Sequence, residues 1–341
     1  MPPPPTPEFW AHRGLLSTVL APAAWVYGMA GAARQRWTAP WRAPVPVVCV
    51  GNLVAGGAGK TPVSLSLARR LRERRWRVHI LSRGYGGRSP GPLAVDPARH
   101  TADEVGDEPL LLAEVAPCWV APDRVAGAKA AIAAGAELLL LDDGFQNPTL
   151  AKDLSLVVID GAYGLGNGRV LPAGPLREPL ARGLARADAI VLMGDDAAGV
   201  AALTASKPLC RARLVPENPG DVAGRTVVAL AGIGRPEKFF TTLEEAGARI
   251  FRTYAFPDHH RYREDELARP LAEAEGAGAM LITTTKDWVR LPPALRPQIR
   301  ALSVSVVWDD LAALDALLDR VHLPRRQRGQ GGGVADEAET P

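Results

Sequence analysis

The sequence predicts an α/β protein: a parallel sheet covered by helices, followed by a second, smaller α/β domain. Two observations carry that prediction. The apolar, β-branched run at 45–50 ends in a glycine-rich turn, and Lys60-Thr61 then opens a helical pattern. Beyond it, short buried runs alternate with helical patterns in two series, one on each side of a stretch at 210–220 rich in proline and charge. Strands alternating with helices make βαβ units, and these pair in parallel.

The turn, VGNLVAGGAGKTP, has the chemistry of phosphate binding. Gly56, Gly57, Ala58 and Gly59 let successive N–H groups turn inward on an anion, and the helix N-terminus adds its partial positive charge. Lys60 then reaches the β- and γ-phosphates of a nucleotide, and the Thr61 hydroxyl is placed to ligate Mg²⁺. The strict pattern wants glycine at position 54, where this chain has Val54. The glycines at 56, 57 and 59 supply flexibility later in the loop. A buried strand before and a helix after make this a P-loop NTPase-like core rather than a glycine-rich turn with a chance lysine.

At 341 residues the chain is long for one core, and about two domains is the natural division. Hydrophobic residues at 47% beside 23% charged ones describe an ordinary folded protein. A net charge of +3 is too small to argue for nucleic acid. Cys49, Cys118 and Cys210 lie far apart, so neither a disulfide framework nor a zinc site is indicated, and a reducing cytosolic setting fits.

Along the chain, the proline-rich start (1–8) reads as disordered. Residues 14–33 carry no charge and are bracketed by Arg13 and Arg34. The phosphate loop that follows argues against a signal peptide. A membrane-spanning helix is long enough on paper, but Ala, Gly, Ser and Thr dilute it and Pro22 interrupts it. An interfacial helix fits best. Leu15, Leu16, Val19, Leu20, Trp25, Val26 and Met29 form its apolar surface, with Trp10, Trp25, Tyr27, Trp37 and Trp41 near headgroup level. Arg34, Arg36 and Arg42 suit an anionic membrane surface. A helix packed on the protein's own core is the plainer alternative.

The helix at 61–75 turns Leu65, Ala68 and Leu71 inward. Arg69, Arg70, Arg72, Arg74 and Arg75 form a solvated face that could also meet anionic lipid. A strand at 78–81 leads to the polar turn SRGYGG. GDEP at 106–109 starts a helix with Asp107 and Glu108 in its favourable first turn. ELLLLDD at 137–143 is a buried strand ending in Asp142 and Asp143, where a P-loop fold holds the Mg²⁺ shell at the carboxyl edge of the sheet. LPAGPLREP is a rigid loop bearing Arg177 and Glu178. In the second series, strands at 226–230, 250–254, 280–284 and 303–308 alternate with helices, and DHH at 258–260 interrupts. The tail after 324 reads as disordered.

VGNLVAGGAGKTP, SRGYGG, GDEP, LLDDGFQN, LPAGPLREP, DHH and TTTKD, in this order over about 10–321, resemble the tetraacyldisaccharide 4′-kinase family, inner-membrane enzymes of lipid A assembly. The resemblance implies two α/β/α domains with the nucleotide between them. It implies transfer of the γ-phosphoryl of ATP, with Mg²⁺, to the 4′-hydroxyl of a tetraacylated glucosamine disaccharide 1-phosphate. It places the enzyme on the cytoplasmic face of the bacterial inner membrane, peripheral or monotopic, with no nucleic acid and no obligate protein partner. By motif, Lys60 and Thr61 hold phosphates and Mg²⁺, and Asp142, Asp143 and Glu178 lie on the metal side. Arg83, Gln146 and Arg177 touch phosphate or substrate. Asp107 resembles the family's general base, partnered by His259 or, alternatively, His260. Expected boundaries are 1–44 (start plus membrane-interacting helix), 45–209 (P-loop kinase core), 210–224 (linker), 225–324 (second domain) and 325–341 (tail).

Two positions depart from the family pattern: Asn147 stands where His is usual, and Thr285 where Glu is usual. A non-catalytic homologue draws its support from these. A P-loop GTPase or metallochaperone is the other rival. The adjacent Lys286-Asp287 has the wrong spacing for guanine reading, and no cysteine or histidine cluster offers a metal cargo site. The two adjacent histidines, His259 and His260, could also be a surface turn or a nickel-like ligand pair.

Overall fold

A computed structural model describes residues 7–321; the start at 1–6 and the tail beyond 321, where disorder is expected, lie outside the described residues. Strands β1 (Val47–Gly51), β2 (Val78–Ser82), β3 (Leu93–Ala94), β4 (Cys118–Val120), β5 (Leu138–Asp142), β6 (Leu154–Asp160), β7 (Ala189–Met193) and β8 (Leu209–Pro216) come first. They are followed by β9 (Thr226–Ala231), β10 (Arg249–Ala255), β11 (Met280–Thr284), β12 (Arg300–Leu302) and β13 (Val304–Trp308). The protein is mixed α/β with two sheets. The larger runs β13-β8-β7-β6-β1-β5-β2-β4-β3, and the smaller β10-β9-β11-β12. The smaller is parallel throughout; the larger is parallel except at its edges, where β13 meets β8 and β3 meets β4 antiparallel.

β1, β2, β5, β6 and β7 are buried at every residue, as continuous Val, Leu and Ile runs require when helices cover both faces. β1 lies between β5 and β6, and the chain's next strand, β2, lies beyond β5. Loops leaving β1 and β5 therefore open side by side at the carboxyl edge, where open α/β sheets bind ligands. The helix Lys60–Glu73 packs Val63, Leu67, Ala68 and Leu71 into this core; Leu65 is only half-buried. Its arginines are committed within the chain. Arg70 and Arg74 pair with Asp315, Arg74 also with Asp319, Arg69 with Glu217, and Arg72 donates to the Val115 carbonyl. These pairings engage four of the five arginines read as a solvated face; Arg75, just past the helix, is exposed.

The stretch expected to link the domains is largely a strand. β8 alternates, with Cys210 and Ala212 inward and Arg211 and Arg213 turned away from the core, and pairs with β7 and β13. Its charges and terminal proline disguise the period-2 pattern, and both are tolerated near a sheet edge. The last strand likewise belongs to the larger sheet. β13 and the helix Leu311–Asp319 return to the first core, where Leu314, Leu317, Leu318 and Val321 are buried. The smaller sheet is thus an insertion between β8 and β13, not a C-terminal unit.

The apolar N-terminal segment forms two helices, Leu15–Val19 and Ala21–Trp37, rather than one. Pro22 sits in the first turn of the second, where its missing N–H is no loss. No described helix is long and apolar enough to cross a membrane. Leu15, Leu16, Val19, Trp25, Val26, Tyr27, Met29 and Trp37 are exposed. Three residues assigned to the lipid side are engaged within the chain: Trp10 Nε1 donates to Pro172 O, Trp41 packs against the large core, and Arg42 pairs with Asp153 at 3.3 Å.

Candidate active site

The loop after β1 is shaped from inside and outside. Buried Asn52 donates from Nδ2 to the carbonyls of Val54 (2.7 Å) and Gly56 (3.3 Å). Gly56 and Gly59 have φ of 112° and 85°, conformations that side chains resist. Val54 is buried and bridges Leu176, while the Ala55 N–H donates to Pro175 O (2.7 Å) and the Arg177 N–H to Leu53 O (2.8 Å). The first half of the loop is therefore strapped in extended form to the LPAGPLREP segment. That conformation suits valine and explains why glycine is not needed at 54.

Lys60 and Thr61 open the next helix at the mouth of this loop, and Lys60 Nζ stands 3.9 Å from Asp143 Oδ2. Asp143 has φ of +52°, rare outside glycine, which turns it off the strand that ends at Asp142. Burial pushes the Asp143 carboxyl up, but Lys60 and Arg177 together hold it below its usual value. Arg177 reaches it at 2.9 and 3.2 Å. Asp142 differs from its neighbour. It is fully buried and accepts from Ser64 Oγ at 2.7 Å; burial, with Glu108, pushes it up to about 7. Gln146 Nε2 bonds Asn52 O (2.9 Å) and Glu178 Oε1 (3.1 Å), and Glu178 is paired with Arg186. Arg83 stands exposed past the end of β2, outside this bonded group.

These oxygens do not form a closed cage: among the described residues no three acids, histidines or cysteines converge as a metal cluster. Mg²⁺ does not require one. It is held by one or two carboxylates, with waters and substrate phosphates completing the octahedron. The hard oxygens of Thr61 and Asp143, beside the phosphate loop, fit that ion; Asp143 is also paired with Arg177, as Asp142 is bonded to Ser64 and Glu178 paired with Arg186.

The second cluster joins the two sheets. Asp107 begins the helix Asp107–Ala113 and is 4% exposed. Its Oδ1 accepts the Glu108 N–H (2.9 Å), and its Oδ2 meets His259 Nδ1 (3.0 Å) and Arg290 Nε (2.9 Å). Lys286 Nζ is 4.0 Å from the same oxygen and 3.1 Å from Glu108. Burial alone would raise the Asp107 carboxyl, but Lys286, the His259 hydrogen bond and Arg290 outweigh it and hold it well below the usual carboxylate range. Lys286 is raised in turn, because the carboxylates of Glu108, Asp107 and Asp258 outweigh its burial.

His259 adopts φ of +57°, held by its N–H to Gly232 O (3.2 Å) and to Asp258 Oδ1 (3.0 Å). Such strain in a non-glycine residue clusters at functional sites. Its neighbour His260 turns away to Glu266 (3.0 Å), between Phe256 and Tyr262. The two rings serve different carboxylates, so they are not a metal-ligand pair. Gly234 links this cluster to the phosphate loop. A Cβ built there would lie 3.3 Å from Asp258 Oδ2 and 3.7 Å from the Gly57 nitrogen. Arg235 donates to Gly57 O (3.3 Å) and, with Lys238, pairs with Asp160 at the end of β6.

Sequence reasoning missed Arg290, Ser64 and the Asp160 pairs. Arg290 is buried and bonds Asp107, Asp287 and Gly232 O. Its spacing of three and four residues from Asp287 and Lys286 was the available signal. Asn147 serves a turn: its Oδ1 accepts the Thr149 N–H (2.9 Å) and hydroxyl (2.8 Å). Thr285 opens a short helix capped by Thr284, whose Oγ1 accepts the Asp287 N–H.

The chain matches the family model described as Tetraacyldisaccharide-1-P 4′-kinase over residues 16–322. It is 57% identical to the tetraacyldisaccharide 4′-kinase of Rhodospirillum centenum over 332 residues, covering 95% of this chain and 98% of that one. To the enzyme of the same name from Gluconacetobacter diazotrophicus it is 56% identical, over 92% of this chain and 97% of the other. Its fold is similar to the crystal structure of LpxK from Aquifex aeolicus in complex with ATP, with a TM-score of 0.73 and 29% identity, covering 90% of this chain and 99% of that one. On a family match over nearly its whole length and relatives more than half identical to it, the chain belongs to the tetraacyldisaccharide 4′-kinases.

Proposed function

We propose that this protein transfers the γ-phosphoryl group of ATP to the 4′-hydroxyl of a tetraacylated glucosamine disaccharide 1-phosphate, a step of lipid A assembly. The observation that carries the proposal is the Asp107–His259 pair, one from a helix of the larger body and one from the loop after β10, with Gly234 close to both Asp258 and the phosphate loop.

Phosphoryl transfer needs positioning and charge neutralisation more than covalent help from the protein. The backbone N–H groups of 56–61 and the Lys60 ammonium hold the phosphates, and Arg177 adds charge from the strapping loop. Mg²⁺, when bound at Thr61 and Asp143, neutralises charge on the phosphate oxygens. Asp107 Oδ2 already meets both His259 and Arg290, so we assign the proton to His259 Nε2, 3.9 Å from Asp258 Oδ2. The acceptor hydroxyl gives its proton to Nε2 as its oxygen forms the new bond to phosphorus and the bond to the ADP oxygen breaks. Asp107 accepts the Nδ1–H, fixes the tautomer and balances the imidazolium. This modifies the expectation that Asp107 takes the proton directly; the pair acts as one unit.

The lipid acceptor is met at the N-terminal helices, lying on rather than across the cytoplasmic face of the inner membrane. Their exposed Leu15, Val19, Trp25 and Trp37, with exposed Arg13, Arg34 and Arg36, support that placement. Following the sheets, the phosphate-binding body comprises 45–216 with 303–321, and the second body 226–302.

The test is phosphoryl transfer from ATP to the tetraacylated disaccharide 1-phosphate in detergent micelles with Mg²⁺. Product from wild type, lost in Lys60→Ala, supports the proposal. Wild type that binds ATP yet makes no product overturns it.

A further inference from the structure

We propose that Asn167 is a positioning residue for the lipid acceptor: it fixes the N-terminal helices to the loop that shapes the phosphate site. The inference rests on the lipid-kinase reading above and adds a residue to it.

Asn167 lies in the connection between β6 and the helix Leu180–Arg186 and is 6% exposed. Its Nδ2 donates to Ala173 O (2.9 Å) within its own loop, and to Phe9 O (3.1 Å) and His12 O (3.4 Å) in the N-terminal segment. Its Oδ1 accepts the Arg169 N–H (3.0 Å). Its backbone is used as well: the Asn167 N–H donates to Trp10 O (2.7 Å), and its carbonyl accepts from Arg13 Nε (3.1 Å). Two further bonds extend the seam, Trp10 Nε1 to Pro172 O (3.1 Å) and Arg169 to Ser17 O (2.6 Å). The hydrogen bonds that tie 9–18 to the rest of the described chain thus converge on 167–173.

The loop is built around this side chain. A Cβ on Gly174 would stand 2.0 Å from Asn167 Oδ1, and one on Gly166 would meet Pro175 Cγ and Trp10 O, both at 2.6 Å. Both positions are glycine because Asn167 and the N-terminal backbone occupy that space. A single covalent run then continues to the chemistry. Pro175, Leu176 and Arg177 hold the phosphate loop at Ala55, Val54 and Leu53, and Arg177 and Glu178 bond Asp143 and Gln146. The segment 167–178 is a strut, with the lipid-contacting helices at one end and the phosphate cradle at the other. An acceptor held by those helices is placed against the γ-phosphate by this strut, and small displacements from productive geometry cost rate heavily.

The experiment compares wild type with Asn167→Ala in the full chain, measuring kcat/KM for tetraacyl disaccharide 1-phosphate in micelles, KM for ATP, and thermal stability. The expected result is a fall of about tenfold or more in kcat/KM for the lipid, with KM for ATP within about twofold of wild type. A folded Asn167→Ala enzyme whose kcat/KM for the lipid stays within about twofold of wild type overturns the inference. So does an equal loss on the ATP side, which would make Asn167 a support of the nucleotide site alone. If Asn167→Ala does not fold, Arg169→Met removes the neighbouring bond to Ser17 and is read on the same two axes, with about a threefold loss expected on the lipid axis alone. Inactive wild type would count against the lipid-kinase reading; active wild type with an unaffected variant would count against Asn167 only.

Discussion

His259 Nδ1 lies 3.0 Å from Asp107 Oδ2, although Asp107 opens the helix Asp107–Ala113 of the larger body and His259 lies in the loop after β10, far away in sequence. The proposed proton acceptor is complete only when the two bodies are docked. His259→Ala should lower kcat by about a hundredfold or more, the usual scale for a positioned acid–base group. ATP affinity should stay near wild type. The measurement is steady-state turnover beside nucleotide titration, and a variant that loses both together would place His259 in the nucleotide site instead.

Asp107 predicts a pH dependence of stability. Lys286, His259 and Arg290 hold its carboxyl below the usual range, despite burial that pushes the other way. A carboxylate depressed in the fold stabilises the native state above its unfolded value, near 4, and that contribution is lost as pH falls through the depressed folded value. Thermal unfolding of wild type should therefore drop on the acid side of pH 4 more steeply than that of Asp107→Asn. Parallel acid limbs would count against the ion pair.

Arg290 is buried between Asp107 and Asp287. Removing it leaves two carboxylates in a low-dielectric site with fewer partners, which costs about 3 kcal/mol or more. Arg290→Met should show this as a lower denaturant midpoint at unchanged slope, with turnover falling as the Asp107–His259 geometry loosens.

Val54 invites a contrary experiment. Val54→Gly restores the strict phosphate-loop pattern, yet should lower stability by about 2 kcal/mol, because it empties a buried site and frees a backbone strapped to Leu176. Faster turnover without loss of stability would show that the strap is not what fixes this loop.

The exposed apolar face of the N-terminal helices gives a membrane prediction. Trp25→Ser combined with Leu15→Ser should weaken binding to vesicles containing anionic lipid by about tenfold or more, since each removes a bulky apolar side chain from the interface. The melting temperature should hardly change, because both side chains already face solvent.

Much of this was legible in the sequence where pattern and local chemistry agree. β5 and β7 follow from runs that are apolar at nearly every position, and the phosphate loop from its glycines before Lys60. β8 was not legible, because Arg211, Arg213 and Pro216 break a hydrophobic count while leaving the alternation intact. The return of β13 to the larger sheet depends on pairing with a distant strand, which composition does not encode. At the site, Asp107 and His259 came from resemblance; that Asp107 Oδ2 meets both His259 and Arg290 needed coordinates. Arg290 offered only its spacing from Lys286 and Asp287 as a signal; its bond to Asp107 comes from another part of the chain.

The insertion of the smaller sheet between β8 and β13 bears on how the chain folds. The two crossings lie side by side, with the Glu217 N–H donating to Ser303 O at 3.0 Å. Pairing β8 with β13 closes a loop containing the whole of β9–β12, and closure costs more entropy the longer the flexible loop. If 226–302 is already compact, its ends are held near one another and the effective loop is short. The edge of the large sheet, together with the helix whose Asp315 takes Arg70, should therefore be sealed late, after the inserted body has formed. A defect in the smaller sheet would then surface first as fraying at β13, on the far edge of a different sheet.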